Sequence, residues 1–210
     1  MKIDLHCHTM QRSSCSYLEE ELLIELSIKS GLDGIVFTDH GRLPPKGRLV
    51  KLNDKYHPFR VFTGIEITIL MDTRQFYDYQ DFIVVGLDDR ILESDWSYDR
   101  LLQWVRTKGG WIALAHPFRY SNTMPRAIMD NPPDAVELYS PHIRAALIPQ
   151  IKLLAEKLGC QVVGVSDAHQ ARDVGYSAVK LARSAASDAE LAAELKKGAF
   201  EVVPGWSQAI

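Results

Sequence analysis

Nowhere in this chain do apolar residues run together for the roughly 20 positions that a helix needs to cross a bilayer. Asp4 and His6 follow the first residue almost at once, so no secretory leader is expected. Cysteine is scarce. Cys7, Cys15 and Cys160 are odd in number and form no C-x-x-C pair, which argues against a disulfide framework or a cysteine-built zinc cluster and for a reducing compartment. An excess of one charge is also lacking. The 24 Lys and Arg stand against 27 Asp and Glu, a formal net charge of -3, which gives no footprint for an extended nucleic-acid surface. A local basic cluster could still hold a small phosphorylated partner. There is no internal repeat and no stretch of low complexity. The expectation is a soluble, cytoplasmic protein without a membrane partner. With 210 residues, 46% of them hydrophobic, it should bury one large core as a single domain over 1–210.

What the chain does contain is an alternation of short apolar runs with helical periodicity. Residues 3–6 read as a buried strand. Residues 17–29 carry Leu18, Leu22, Leu23, Leu26 and Ile28 at helical spacing, with Ser16 as N-cap, Glu19 three positions on and Gly31 past the end. Residues 34–38 form the next strand, a β-α-β unit that implies a parallel sheet. Residues 41–60, broken by Pro44, Pro45, Gly47 and Pro58, read as loop. Their cations Arg42, Lys46, Arg48, Lys51, Lys55 and Arg60 face only Asp54, as a solvated loop or a phosphate-attracting lid would. Further strands are expected at 60–65, 82–87, 111–115, 135–136 and 161–165, with 71–81 and 117–133 as loops. Helices are expected at 98–108 and at 143–158, the latter started, kinked or interrupted by Pro149. The tail offers a strand at 177–181, a helix after Ser187-Asp188 and a strand at 200–203.

Nearly every run ends in a side chain able to hold a metal: His6 and His8, His40, Glu66, Asp88, His116, Glu137, then Asp167 and His169. Alternation along an extended strand turns His6 and His8 to one face, and Asp167 and His169 to one face. Functional groups of parallel barrels stand at the C-terminal strand ends, and seven β-α units suit a chain shorter than the ~250 residues of a full eight-unit barrel. The expected fold class is therefore α/β: a distorted (β/α)7 barrel, TIM-barrel-like, with a metal site at the C-terminal ends of the strands.

Other polar residues carry plainer readings. His57 and His142 read as structural histidines, although His142 lies near enough to the strand ends to touch a substrate. Asp39 has the parity opposite to Thr38 and His40, which suits a supporting or capping role. Glu137 could salt-bridge a barrel arginine as easily as bind metal. Cys7 alternates away from His6 and His8, as a small buried apolar residue would.

Imidazoles mixed with carboxylates suit zinc, manganese or iron, and more than four ligands imply more than one ion. Two or three clustered divalent ions bind phosphoryl oxygens and lower the pKa of a bridging water, so a metal-activated hydroxide would attack a phosphate ester. The substrate would be a small phosphorylated metabolite or a nucleotide. His40 or His169 would protonate the leaving oxygen, and Arg119 and Arg144 are candidates to grip the free ones, with surface salt bridges as their plainer reading. Hydrolysis of a C–N bond would use the same hardware, and a metal-bearing scaffold with little turnover is a further alternative.

Taken in order, D-L-H-C-H-T, G-I-V-F-T-D-H, G-I-E-I, A-H-P-F, V-E-L-Y-S and V-S-D-A-H resemble the PHP (polymerase and histidinol phosphatase) domain family of metal-dependent phosphoesterases, over essentially the whole chain. The resemblance implies a distorted seven-unit barrel with two or three clustered ions. His6, His8, Glu66 and Asp167 would hold the first; Glu66 would bridge to a second, bound also by His116; His40 and His169 would serve a third. Two departures stand out. Where members commonly carry Asp or His after H-x-H-T, residues 10–15 offer only Ser14 or Cys15. Where many carry His after the glycine of the fourth strand, this chain has Asp88.

Overall fold

The computed structural model describes residues 1–71, 78–87 and 96–204, and the elements below are those of these residues. Strands β1 (Lys2–Cys7), β2 (Gly34–Phe37) and β3 (Arg60–Leu70) lie side by side and parallel. Helix α1 (Glu20–Lys29) joins the first pair and α2 (Lys46–Tyr56) the second. The chain then reverses. Strand β4 (Tyr79–Val85) pairs antiparallel with β3, and β5 (Trp111–Leu114), reached through α3 (Tyr98–Lys108), is antiparallel to β4. Strands β6 (Ala135–Tyr139) and β7 (Gln161–Gly164) continue parallel to β5, preceded by α4 (Arg126–Asp130) and α5 (Ile148–Leu158). Strands β8 (Ala178–Leu181) and β9 (Phe200–Val203), with α6 (Asp188–Lys196) between them, add an antiparallel flank to β1. The order is β7-β6-β5-β4-β3-β2-β1-β8-β9. Beyond Gly164 the chain returns to β1: Cys7 bridges Ala168, and the His8 N–H donates to the Ala168 carbonyl at 3.0 Å. The sheet thus curls into a nearly closed barrel. Among the described residues no helix is long and apolar enough to cross a membrane.

The reversed β4 corrects the expectation of a uniformly parallel ring. Residues 71–78 are too few for a crossover, which takes about a dozen or more, so β3 and β4 form a hairpin. The end of β4 at Gly86-Leu87 therefore lies at the pole opposite the C-terminal ends of its neighbours. Asp88, expected as a ligand there, falls outside the described residues.

Alternation sorts the core. Val36, Phe62, Ile83, Val85, Trp111, Ala113, Ala135, Val163 and Val165 form one cluster with Leu191, Ala192 and Leu195 of α6. The opposite face, Ile65, Ile67, Phe82, Val84, Ile112, Leu114 and Val136, packs under α3 and α5 through Leu101, Leu102, Val105, Ile151 and Leu154. Cys7 joins Ile35 and Phe37 beneath α1, as its parity required.

Helix ends follow local chemistry. Ser187 caps α6, its hydroxyl accepting the Glu190 N–H at 3.2 Å, worth about 1 kcal/mol. Gly109 and Gly159 end α3 and α5 in the left-handed region, and Pro149 sits in the first turn of α5, so it starts that helix. Two readings fail. Ser16 is not the cap of α1, which begins at Glu20; its hydroxyl donates instead to the His8 carbonyl at 2.9 Å. Residues 46–56 are helix, not loop, because Arg48 and Lys55 meet Glu20 and Glu21 in the acidic first turn of α1. Sequence neighbours alone made those cations look unopposed.

Candidate metal centre

The inward register that builds the core carries polar groups at its upper end. Two positions beyond Ala135 stands Glu137, beyond Val165 stands Asp167, and four beyond Phe62 and Val36 stand Glu66 and His40. Strand β4 runs the other way, so two positions before Ile83 stands Asp81. His116 has the wrong parity. It comes near Glu66 with a left-handed backbone (φ 25°), and Asp167 is also left-handed (φ 45°). Strain at two non-glycine residues costs about 1–3 kcal/mol each, and such strain collects at functional sites.

Four donor atoms converge. The Nε2 atoms of His6 and His8 are 2.9 Å apart. Glu66 Oε2 is 3.4 Å from the first and 3.2 Å from the second, and Asp167 Oδ1 is 3.2 and 3.3 Å from them. Donors about 2.0–2.1 Å from one tetrahedral ion would stand about 3.3 Å apart, and these five separations lie close to that value, as donors to a divalent cation would. Both oxygens of Asp167 are buried without a hydrogen bond, which a cation would remedy. Supporting groups set the tautomers. Glu137 Oε1 lies 2.6 Å from His6 Nδ1. The Ser13 hydroxyl donates to Asp39 Oδ1 at 2.7 Å and so accepts from His8 Nδ1 at 3.2 Å. In the neutral rings both Nε2 lone pairs are then free.

Glu66 faces two ways. Its Oε1 is 3.1 Å from His116 Nε2, while Oε2 also lies 3.1 Å from His40 Nδ1. Asp81 completes a group with Glu66 and His116 whose donor atoms lie within 4.8 Å of one another. Tyr120 donates its hydroxyl to Asp81 Oδ2 at 2.8 Å. Sequence reasoning missed Asp81. The available signal was the short link between β3 and β4, which turns the start of β4, not its end, toward the centre.

The outer wall is half-open. His8, His40, His169 and Cys15 bring donor atoms within 4.8 Å of one another, and His169 Nδ1 donates to the Asp167 carbonyl at 2.8 Å. His142, read as structural, has its ring 5.6 Å from that of His169 and so belongs to the same wall. His57 is exposed at the C-terminal end of α2. Arg119 Nη1 is 3.8 Å from Asp167 Oδ2. Arg119, Arg144 and His142 share a cleft of about 110 Å³ with His116 and Phe118. Asp39 ties the turn after β1, in part through Arg12, and Glu137 braces His6 and the His116 N–H instead of pairing with an arginine.

The electrostatics point the same way. Burial alone would lower the pKa of His6, but Asp167, Glu137 and Glu66 raise it well above the usual imidazole range. Burial is likewise outweighed at His8 and His116, which are raised, and at Glu66 and Asp167, which the histidines hold low. Protons here do the balancing that a cation would do. His40 and His169 are lowered, burial first, and the Cys15 thiol is raised, burial first.

The PHP-associated family model matches residues 150–200, which include Asp167 and His169. Three solved structures share the fold. A two-domain protein from Bacteroides vulgatus, containing a predicted PHP-like metal-dependent phosphoesterase, aligns at 14% identity and a TM-score of 0.66 over 98% of this chain. The chain spans 65% of that protein's length. PsfC from Pseudomonas syringae aligns at 16% identity and a TM-score of 0.68, over 98% of this chain and 92% of its own. An amidohydrolase from Chromobacterium violaceum, with bound sulfate and no metal, aligns at 13% identity and a TM-score of 0.65, over 99% of this chain and 100% of its own. No curated protein matches the chain. The family model names the same family that the motifs resemble, over residues 150–200, and the solved structures show a shared fold.

Proposed function

We propose that this chain is a metal-dependent hydrolase of phosphate esters, acting on a small phosphorylated metabolite or nucleotide at a two- or three-ion centre. The observation that carries the reading is the convergence of His6 Nε2, His8 Nε2, Glu66 Oε2 and Asp167 Oδ1 within 2.9–3.4 Å, with the second oxygen of Glu66 turned to His116. His6, His8, Glu66 and Asp167 would hold one ion, Glu66, His116 and Asp81 a second, and His40 with His169 a third; zinc, manganese and iron suit these donors. Bound there, divalent ions supply charge for the phosphoryl oxygens and acidify a water.

The rest is work for the side chains. Arg119 stands at the rim, 46% exposed and 3.8 Å from Asp167, where it can take a non-bridging oxygen. Arg144 lines the same cleft. His169, with Nδ1–H fixed on the Asp167 carbonyl, offers Nε2 outward, and His40 stands 44% exposed. With two ions bound and the outer pair left without metal, either can carry the proton to the leaving oxygen. Glu137 and Ser13 keep the inner imidazoles from turning.

Hydrolysis of a C–N bond is the second reading, favoured by the amidohydrolase among the structural neighbours. A panel of phosphate mono- and diesters beside lactams and hydantoins separates the two. Phosphate release that is lost in His6→Ala and Asp167→Asn is the expected result. Turnover of the cyclic amides alone would replace the proposal with the second reading, and no turnover by a metal-loaded protein would leave a binding scaffold.

A further inference from the structure

The turn after β1 is where the chain departs from the family pattern, and it is firmly built. Asp39 Oδ1 accepts from the Thr9 N–H at 2.6 Å and the Ser13 hydroxyl at 2.7 Å, while Oδ2 accepts from the Thr9 hydroxyl at 2.9 Å and Arg12 Nε at 2.8 Å. The Ser13 N–H closes on the Thr9 carbonyl at 2.8 Å, and the Ser16 N–H closes on the Ser13 carbonyl at 3.1 Å. The Tyr17 N–H donates to the His169 carbonyl at 2.9 Å. Residues 14 and 15 are thus held at both ends, beside the histidines. Cys15 Sγ lies within 4.8 Å of a ring nitrogen of each of His8, His40 and His169.

We propose that Cys15 is a metal ligand, forming with His40 and His169 a thiolate–imidazole site for a borderline-soft divalent ion, zinc foremost. The inference rests on the metal-dependent reading above and deepens it, because sulfur in this position changes which ion the site accepts. His169 has its Nδ1–H committed to a carbonyl, so Nε2 remains as the donor. Both outer rings lie against His8, with centroids 4.6 Å (His40) and 4.4 Å (His169) away. Cys15 is exposed, so an ion held there keeps an open position toward solvent. Binding breaks the S–H bond, releases its proton to water and forms the metal–sulfur bond, with no change of oxidation state. Thiolate favours zinc, cobalt or ferrous iron over magnesium or manganese. The other two thiols are elsewhere: Cys7 is buried under α1, and Cys160 packs against the outer core.

Cobalt(II) tests the assignment without an activity assay. Protein stripped with a chelator and reloaded with cobalt should show a near-ultraviolet sulfur-to-cobalt charge-transfer band. Cys15→Ser should abolish it while the visible cobalt bands of the inner sites persist, and Cys160→Ser should leave it intact. The weakest class of bound zinc should lose at least about tenfold in affinity in Cys15→Ser. Visible cobalt absorption with no sulfur band in the unmodified protein, or a band surviving in Cys15→Ser, overturns the assignment and leaves the metal-dependent reading standing. Failure to bind any cobalt overturns both.

Discussion

One carboxylate braces both inner parts of the centre, and removing half of it should be measurable. Glu137 is fully buried; Oε1 lies 2.6 Å from His6 Nδ1 and Oε2 accepts the His116 N–H at 2.8 Å. Glu137→Gln keeps the shape but leaves one acceptor for two donors. If the amide oxygen serves His6, the amide NH2 confronts the His116 N–H, and a buried donor without a partner costs about 1–3 kcal/mol. If the amide is turned over, His6 can satisfy it only as the tautomer with its proton on Nε2, which withdraws a donor atom from the cluster. Loss of a group that orients a metal-binding imidazole typically weakens metal affinity by about 10–100-fold, or about 1.4–2.7 kcal/mol. The two routes give the same range. Competition against a chromogenic zinc chelator should show the tightest class of sites weakened by that factor. Urea unfolding of the chelator-treated protein should show about 1–3 kcal/mol lost. A folded Glu137→Gln protein that binds zinc within about twofold of the original, with unchanged unfolding, would refute the bracing role.

How much of this was legible in the sequence depended on whether the deciding interaction was local. The 3.6-residue pattern placed α3 to the residue, and Ser187 marked the start of α6, since periodicity and capping are short-range. Helix α2 was missed because its stabilising partners, Glu20 and Glu21, lie 27–34 residues upstream and across space. Parity correctly grouped His6 with His8 and set Cys7 apart. It could not group His116, which reaches Glu66 through a left-handed residue that no spacing rule announces. Asp81 was overlooked for one reason: strand direction was assumed, when the length of the link between β3 and β4 decided it. His142 was set aside because a lone histidine outside the register is usually structural, yet the fold lays its ring beside His169.

Three further outcomes are expected. Asp81→Asn should weaken a second class of divalent ion by at least about tenfold and leave the class held by His6 and His8 within about twofold, as read by calorimetric titration. Asp39→Asn should cost about 1–3 kcal/mol in urea unfolding, because it presents an amide NH2 to donors that now meet a carboxylate, while Arg12 keeps its second partner, Glu20; a loss below about 0.5 kcal/mol would contradict that network. Asp4 gives the pH dependence. Burial pushes its carboxyl from the ordinary 3.8 up to about 6, partly offset by hydrogen bonds from Ser166 and His6, and Oδ2 has no partner. The folded chain therefore keeps a proton that the unfolded chain releases between about pH 4 and 6. This contribution to stability must fall as pH rises through that window, by on the order of 3 kcal/mol in all. Asp4→Asn cannot titrate, so in chelator-treated protein its stability relative to the original should climb by up to that amount from about pH 4 to pH 7. Parallel stability profiles for the two proteins across the window would show that Asp4 is charged in the folded barrel, stabilised by a group other than Ser166 and His6.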